Sequence, residues 1–240
     1  MKNQILFIIF FLGLFFTSFA ETLQPSKVSH TAWNELVSKY VTASGKVNYK
    51  GFIQEKAKFQ GYLDALAAEI PASSWSRNEK LAYWINAYNA YTVKLIIDNY
   101  PLKSITNLNK PWDTKFFKLA GKSYSLNEIE HQIIRPVFKD PRIHFAVNCA
   151  SASCPKLLNE AYTASKLDSQ LTAQTRSYVN NGAHNSLNGG SAQISSIFDW
   201  YKDDFSSKGG VVAFINTYTS KKLSTSAKLS YKEYDWTLNE

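Results

Sequence analysis

Cysteine is almost missing from this 240-residue chain: Cys149 and Cys154 are the only two. Without a second pair there is no thiolate set for a structural zinc site, and their spacing is not that of a Cys-x-x-Cys redox motif. A dense basic block is missing too. Lys and Arg number 27 against 19 Asp and Glu, but the net +8 is spread over many lysines. That argues against a nucleic-acid partner and for solubility or surface adhesion. There are no internal repeats and no long linker. After the first twenty residues, no apolar run is long enough to span a bilayer. The acidic run Asp199 to Asp204 lacks the ligand spacing of a calcium loop and reads as a helix with a solvated face. No cofactor and no metal site is expected.

What is present begins at the N-terminus. One positive charge at Lys2, an apolar run from Ile5 to Phe16, and small residues at Ser18 and Ala20 have the form of a secretory signal peptide over residues 1–20. Its apolar core is short for a membrane span, and no cysteine follows it to carry a lipid anchor. The expectation is an exported protein, secreted or periplasmic, with no stable membrane insertion after cleavage. Residues 21–240 leave about 220 residues, enough for one domain with a substantial core. Six Trp, fourteen Tyr and fifteen Phe supply that core and can also line a groove.

Periodicity predicts helices over Thr31 to Val41, Tyr49 to Glu69 and Arg77 to Tyr100. In the last, Leu81, Trp84, Ile85, Tyr88, Tyr91, Thr92 and Leu95 recur at helical spacing before Pro101. Lys115 to Ser125 reads as a hairpin turning at Ala120-Gly121. Ser125-Leu126-Asn127-Glu128 has capping-box spacing and opens a helix to about Arg135, ended by Pro136. Arg142 to Asn148 reads as a strand, Ser165 to Val179 as a helix, and His184 to Ser195 as a hairpin around Asn188-Gly189. Ile197 to Phe205 and Val211 to Thr219 read as helices, and Leu229 to Trp236 as a strand. The fold class expected is α+β: a helix-rich single domain packed around a small, mostly antiparallel sheet.

Four motifs then stand in order. They are Glu79 to Asn89 (Glu-Lys-Leu-Ala-Tyr-Trp-Ile-Asn-Ala-Tyr-Asn), Ser125 to His131 (Ser-Leu-Asn-Glu-Ile-Glu-His), Asp140 to Cys149 (Asp-Pro-Arg-Ile-His-Phe-Ala-Val-Asn-Cys) and Ser153-Cys154-Pro155. Together they resemble the domain of unknown function 547 family, over about residues 75–180. The resemblance implies a two-cysteine form found in secreted bacterial members, and no established reaction. Analogy to papain-type and transglutaminase-type thiol hydrolases meets a departure: the long helix opens with Glu79 and no cysteine, and His131 precedes both cysteines.

The two cysteines admit three states: a Cys149–Cys154 disulfide, one nucleophilic thiol, or a pair that cycles. A nucleophile needs a base, and the base an orienting acceptor. His144, read as lying on the same strand as Cys149, points to the opposite face, so His131 is the partner by elimination. Its neighbour Glu130 points about 100° away along a helix. Cys154 gains a lowered pKa if Pro155 opens a helix. Glu79, Asn86, Asn89, Arg142 and His144 are the candidate ligand-binding residues, and Cys149, Cys154, His131 and Glu130 the candidate catalytic ones. Each has a plainer role: packing histidine, backbone-satisfying asparagine, or Arg142 paired with Asp140. Two functions fit. One is an exported cysteine-dependent enzyme acting on peptide-like amide, thioester or thiol substrates, glutathione-type peptides among them. The other is a non-catalytic small-ligand or peptide-binding domain with a structural disulfide. In both, the partner is a small molecule or peptide.

Overall fold

The computed structural model describes residues 27–240, so the signal peptide expected over 1–20 lies outside the described residues. Helix α1 (Thr31–Tyr40) buries Trp33, Leu36 and Val37 at spacings of three and four, which place them on one face. The single helix expected over Tyr49 to Glu69 is two, α2 (Tyr49–Gln54) and α3 (Lys56–Ala68). The chain breaks at Glu55, whose carboxylate accepts from Lys39 and from the Tyr40 hydroxyl. Gly51 faces the Tyr40 ring, and a Cβ there would come within 2.1 Å of it.

Helix α4 (Arg77–Asp98) is the centre of the molecule. Ser76 and Glu79 close a capping box at its start. From Leu81 to Val93 it is buried on every side, as befits a helix enclosed by others rather than lying on a surface. Strands β1 (Phe117–Leu119) and β2 (Lys122–Tyr124) pair antiparallel across Ala120 and Gly121. Both turn residues have positive φ (46° and 79°), the twist that a two-residue hairpin demands. Phe117 stacks on Tyr91 of α4 with ring centroids 3.8 Å apart.

The capping box at Ser125 and Glu128 forms as expected, but the helix does not end at Pro136. It runs as a π-helical segment, Glu128–Ile134, into α5 (Arg135–Phe138). The wider register sends the Arg135 N–H to the Glu130 carbonyl, and Pro136 follows in the first turn of α5. The strand expected from Arg142 to Asn148 is also absent. Pro141 to Phe145 form a 3₁₀ helix, with the Asp140 side chain accepting from the Arg142 N–H at 3.0 Å. The alternation of Phe145 and Val147 misled because His144 and Ala146, at the intervening register, are buried as well.

Helix α6 (Leu167–Val179) follows, then β3 (Ser186–Leu187) and β4 (Ser191–Ser195), an antiparallel pair with β5 (Lys228–Lys232) added parallel to β4. Between β4 and β5 lie α7 (Ile197–Trp200), a 3₁₀ stretch Lys202–Lys208, and α8 (Gly210–Tyr218). The fold is α+β and helix-rich, with two small sheets in place of one among the described residues. Its apolar interior forms two clusters, a large one around α1 to α4 and a smaller one around β4, α7 and α8. Residues 143–147 run along their seam: Ile143, Ala146 and Val147 belong to the first and Phe145 to the second.

Candidate active site

From that seam the chain enters the cysteine loop, and asparagine side chains hold it. Asn89 of α4 accepts from the Asn148 N–H at 2.8 Å and donates to the Ala146 carbonyl at 2.9 Å. Asn148 in turn donates to the Pro155 carbonyl at 2.8 Å and accepts from the Ala150 N–H at 3.0 Å. Ala150 is left-handed (φ 59°), an uncommon state for a residue with a Cβ, and it reverses the chain directly after Cys149. The last residues of the chain close over the loop. The Ala152 N–H donates to the Thr237 carbonyl (2.8 Å) and the Ser153 N–H to the Asp235 carbonyl (3.1 Å). So the chain leaves the sheet after Lys232, and the segment expected to continue as a strand to Trp236 instead carries Tyr234 and Trp236 to the cysteines.

Both cysteines are free thiols, not the disulfide considered above. Each thiol has its own hydrogen-bonding surroundings. The Cys154 sulfur accepts the Cys149 N–H at 2.9 Å, while the Cys149 sulfur reaches toward Ser151 Oγ (3.4 Å) and Tyr234 Oη (3.3 Å). Burial alone would push the Cys149 thiol up, but hydrogen bonds from Cys154, Ser151 and Tyr234 outweigh it and hold the thiol below its ordinary value. Cys154 goes the other way. It is raised well above its ordinary value by burial, and further by the Cys149 sulfur beside it. No helix begins at Pro155, so the helix-terminus argument for Cys154 falls away.

Cys149 opens onto a cavity of about 280 Å³ whose wall includes Tyr88, Glu130, His144, Tyr201 and Tyr234. His144 is buried in it, with Tyr201 stacked on its ring at 3.9 Å. Its Nε2 lies 2.7 Å from Asp204 Oδ2. Asp204 is held well below the usual carboxylate range by His144 and Arg135. An ionised acceptor there fixes the proton on Nε2 and leaves Nδ1 as a lone-pair acceptor. Burial lowers the His144 pKa, overriding the opposing pull of Asp204, so the ring is neutral at pH 7. Among the described residues, Nδ1 has no hydrogen-bond partner, and neither does Glu130 Oε1.

The residues singled out from sequence divide accordingly. His144, Glu130, Cys149 and Cys154 meet in this cavity. His131 does not: it is exposed, its Nδ1 lies 2.7 Å from Arg135 Nη1, and it lines a separate depression with Arg135, Lys139 and Asp203. The choice of His131 over His144 rested on a regular strand that the 3₁₀ helix replaces. Glu79 is a helix cap paired with Lys27. Asn86 holds the Tyr162 backbone at both ends of its amide (2.8 and 3.0 Å), and Asn89 is spent on the cysteine loop. Arg142 binds Asp140, Asp168 and Thr172. Sequence reasoning missed Asp204, read as part of a solvated face, and Tyr234. The contacts they make span 60 and 85 residues, and no local pattern announces them.

Residues 72–179 match the sequence model of a family described as protein of unknown function, DUF547. No curated protein and no solved structure matches the chain. The matched segment contains α4, the π-helical segment with Glu130, the 3₁₀ helix with His144, and both cysteines. Asp204, Trp200, Tyr201, Tyr234 and Trp236 lie beyond it.

Proposed function

We infer, for a chain that belongs to the DUF547 family through residues 72–179, that it is a cysteine-dependent acyl-transfer enzyme with Cys149 as nucleophile. One observation carries this reading. A thiol held below its ordinary pKa shares a cavity with a neutral histidine that is oriented by a carboxylate and has its other nitrogen unpaired. His144 is the base, Asp204 its orienter. This is the division of roles in a nucleophile–histidine–carboxylate triad, with the two ring nitrogens exchanged.

In the step this supports, the Cys149 sulfur attacks the acyl carbon of an amide or thioester. Its proton passes to His144 Nδ1, and the carbon–nitrogen or carbon–sulfur bond breaks as His144 returns the proton to the leaving group. Water or a second nucleophile then attacks the thioester on Cys149 and regenerates the thiol. Cys154, kept neutral, sits beside Cys149 without competing for substrate. The leader-like run at the N-terminus fits an exported enzyme acting on small peptide-like substrates.

The test is acylation by p-nitrophenyl acetate. The expected result is a burst of one nitrophenolate per chain, with an acetyl group found on Cys149 and the burst lost in His144→Ala. An acetyl group distributed over lysines, at equal rates in the wild type and His144→Ala, would refute the assignment.

A further inference from the structure

We infer that the cavity beside Cys149 takes a ligand bearing a cationic nitrogen, a primary alkylammonium, seated against Glu130. The inference deepens the reading above by naming a substrate class for the same site, and it rests on that reading for the claim that the occupant is a substrate.

Glu130 is 4% exposed and, among the described residues, its Oε1 has no partner. A buried carboxyl oxygen without a donor is costly, so its persistence points to a donor that arrives from outside. His144 Nδ1 is a second unpaired acceptor in the same wall. With Nδ1 kept for the Cys149 proton, the unmet acceptor is Glu130 Oε1, and an ammonium carries three N–H donors.

The charge balance agrees. The chain holds 27 Lys and Arg, yet among the described residues none lines this cavity, and Glu130 is its only acidic side chain. Arg135, whose guanidinium stacks on Tyr201 at 5.0 Å, makes its carboxylate hydrogen bonds to both oxygens of Asp204 (2.7 and 3.0 Å) and none to Glu130.

The wall beyond Glu130 is aromatic. Trp236 lies 5.4 Å from Trp112, 6.0 Å from Trp200 and 4.6 Å from Tyr234, ring centre to ring centre. Such π faces attract a cation shed of its water. Trp200 is about half exposed, which places this cluster at the entrance. A volume of about 280 Å³ suits a chain of a few carbons.

The experiment is a tryptophan-fluorescence titration of the full chain with n-butylammonium, n-butanol and butyrate, matched in shape and differing in charge. Saturable binding of n-butylammonium, about tenfold or more tighter than n-butanol and with none for butyrate, is expected. Glu130→Gln should abolish that preference. Equal binding of amine and alcohol, or tighter binding of butyrate, would overturn the inference in the wild type alone, whether or not the variant folds. The two readings separate cleanly. Acetylation of Cys149 without an ammonium preference overturns this inference and keeps the enzyme. The preference without acetylation keeps the ammonium site and removes the enzyme.

Discussion

Two sets of buried polar groups flank the cysteine loop. On α4, Asn86 and Asn89 are 0% and 1% exposed, and both ends of each amide are bound to backbone of the segments that pass them. Across the cavity, Glu130 and His144 are 4% and 2% exposed, and each keeps one polar atom without a partner. Burial is the same, and satisfaction differs. The asparagines spend their polarity on the fold, fixing where Cys149 sits. The glutamate and the histidine hold theirs in reserve, which stabilises nothing until a ligand or a reacting proton arrives.

That contrast can be broken most forcefully on the asparagine side. Asn89→Ala removes two buried hydrogen bonds and strands the Asn148 N–H and the Ala146 carbonyl, so it should cost about 3 kcal/mol and lower Tm by roughly 10 °C. A thermal melt within 2 °C of wild type (roughly 1 kcal/mol or less) would deny Asn89 its scaffold role. On the other side, His144→Ala should slow iodoacetamide alkylation of Cys149 at pH 7 by about tenfold, through loss of the base, with a far smaller effect at pH 9. Equal slowing at both pH values would make His144 a packing residue only.

Acid sharpens the comparison next. His30, hydrogen-bonded to the Tyr62 hydroxyl at 2.8 Å, is lowered by burial to about 4, and burial lowers His144 in the same direction. Their folded values lie below the unfolded one, so the unfolded chain binds more protons between the two. The stability they contribute is complete above about pH 6.5 and lost as pH falls below it, down to about 4 for His30. For His30 this should amount to about 3 kcal/mol, read as the urea midpoint against pH, and His30→Gln should flatten the profile over that window. A profile that keeps its slope in His30→Gln would contradict the assignment. The smallest effect belongs to Glu130→Gln. Because Oε1 is already unpartnered, the change should leave stability within about 1 kcal/mol of wild type or raise it slightly. A loss as large as that of Asn89→Ala would mean that Glu130 belongs to the scaffold after all.

Much of this was legible along the chain wherever the signal is local. The capping boxes at Ser76–Glu79 and Ser125–Glu128, the Ala120-Gly121 turn and the periodicity of α4 are short-range chemistry, and each forms as its spacing implies. The stretch 141–149 failed because a run buried on all sides carries no period, and Pro141 starts a tight helix as readily as it precedes a strand. That one misreading turned His144 away from Cys149 and sent the choice of base to His131. Both cysteines and Glu130 were picked out from sequence, yet Asp204 and Tyr234 reach them only through tertiary contacts. Asp204 sits in a run whose composition reads as solvent-facing, and its partners appear only once the 3₁₀ stretch Lys202–Lys208 packs against the His144 ring.

The central claim is that the two cysteines differ, Cys149 activated and Cys154 inert. The most direct test is the pH profile of iodoacetamide labelling of the reduced chain, with each site resolved by peptide mass spectrometry. The account predicts that Cys149 labels quickly below pH 8 while Cys154 stays protected until the chain unfolds. Preferential labelling of Cys154, or equal labelling of both only near pH 9, would contradict it.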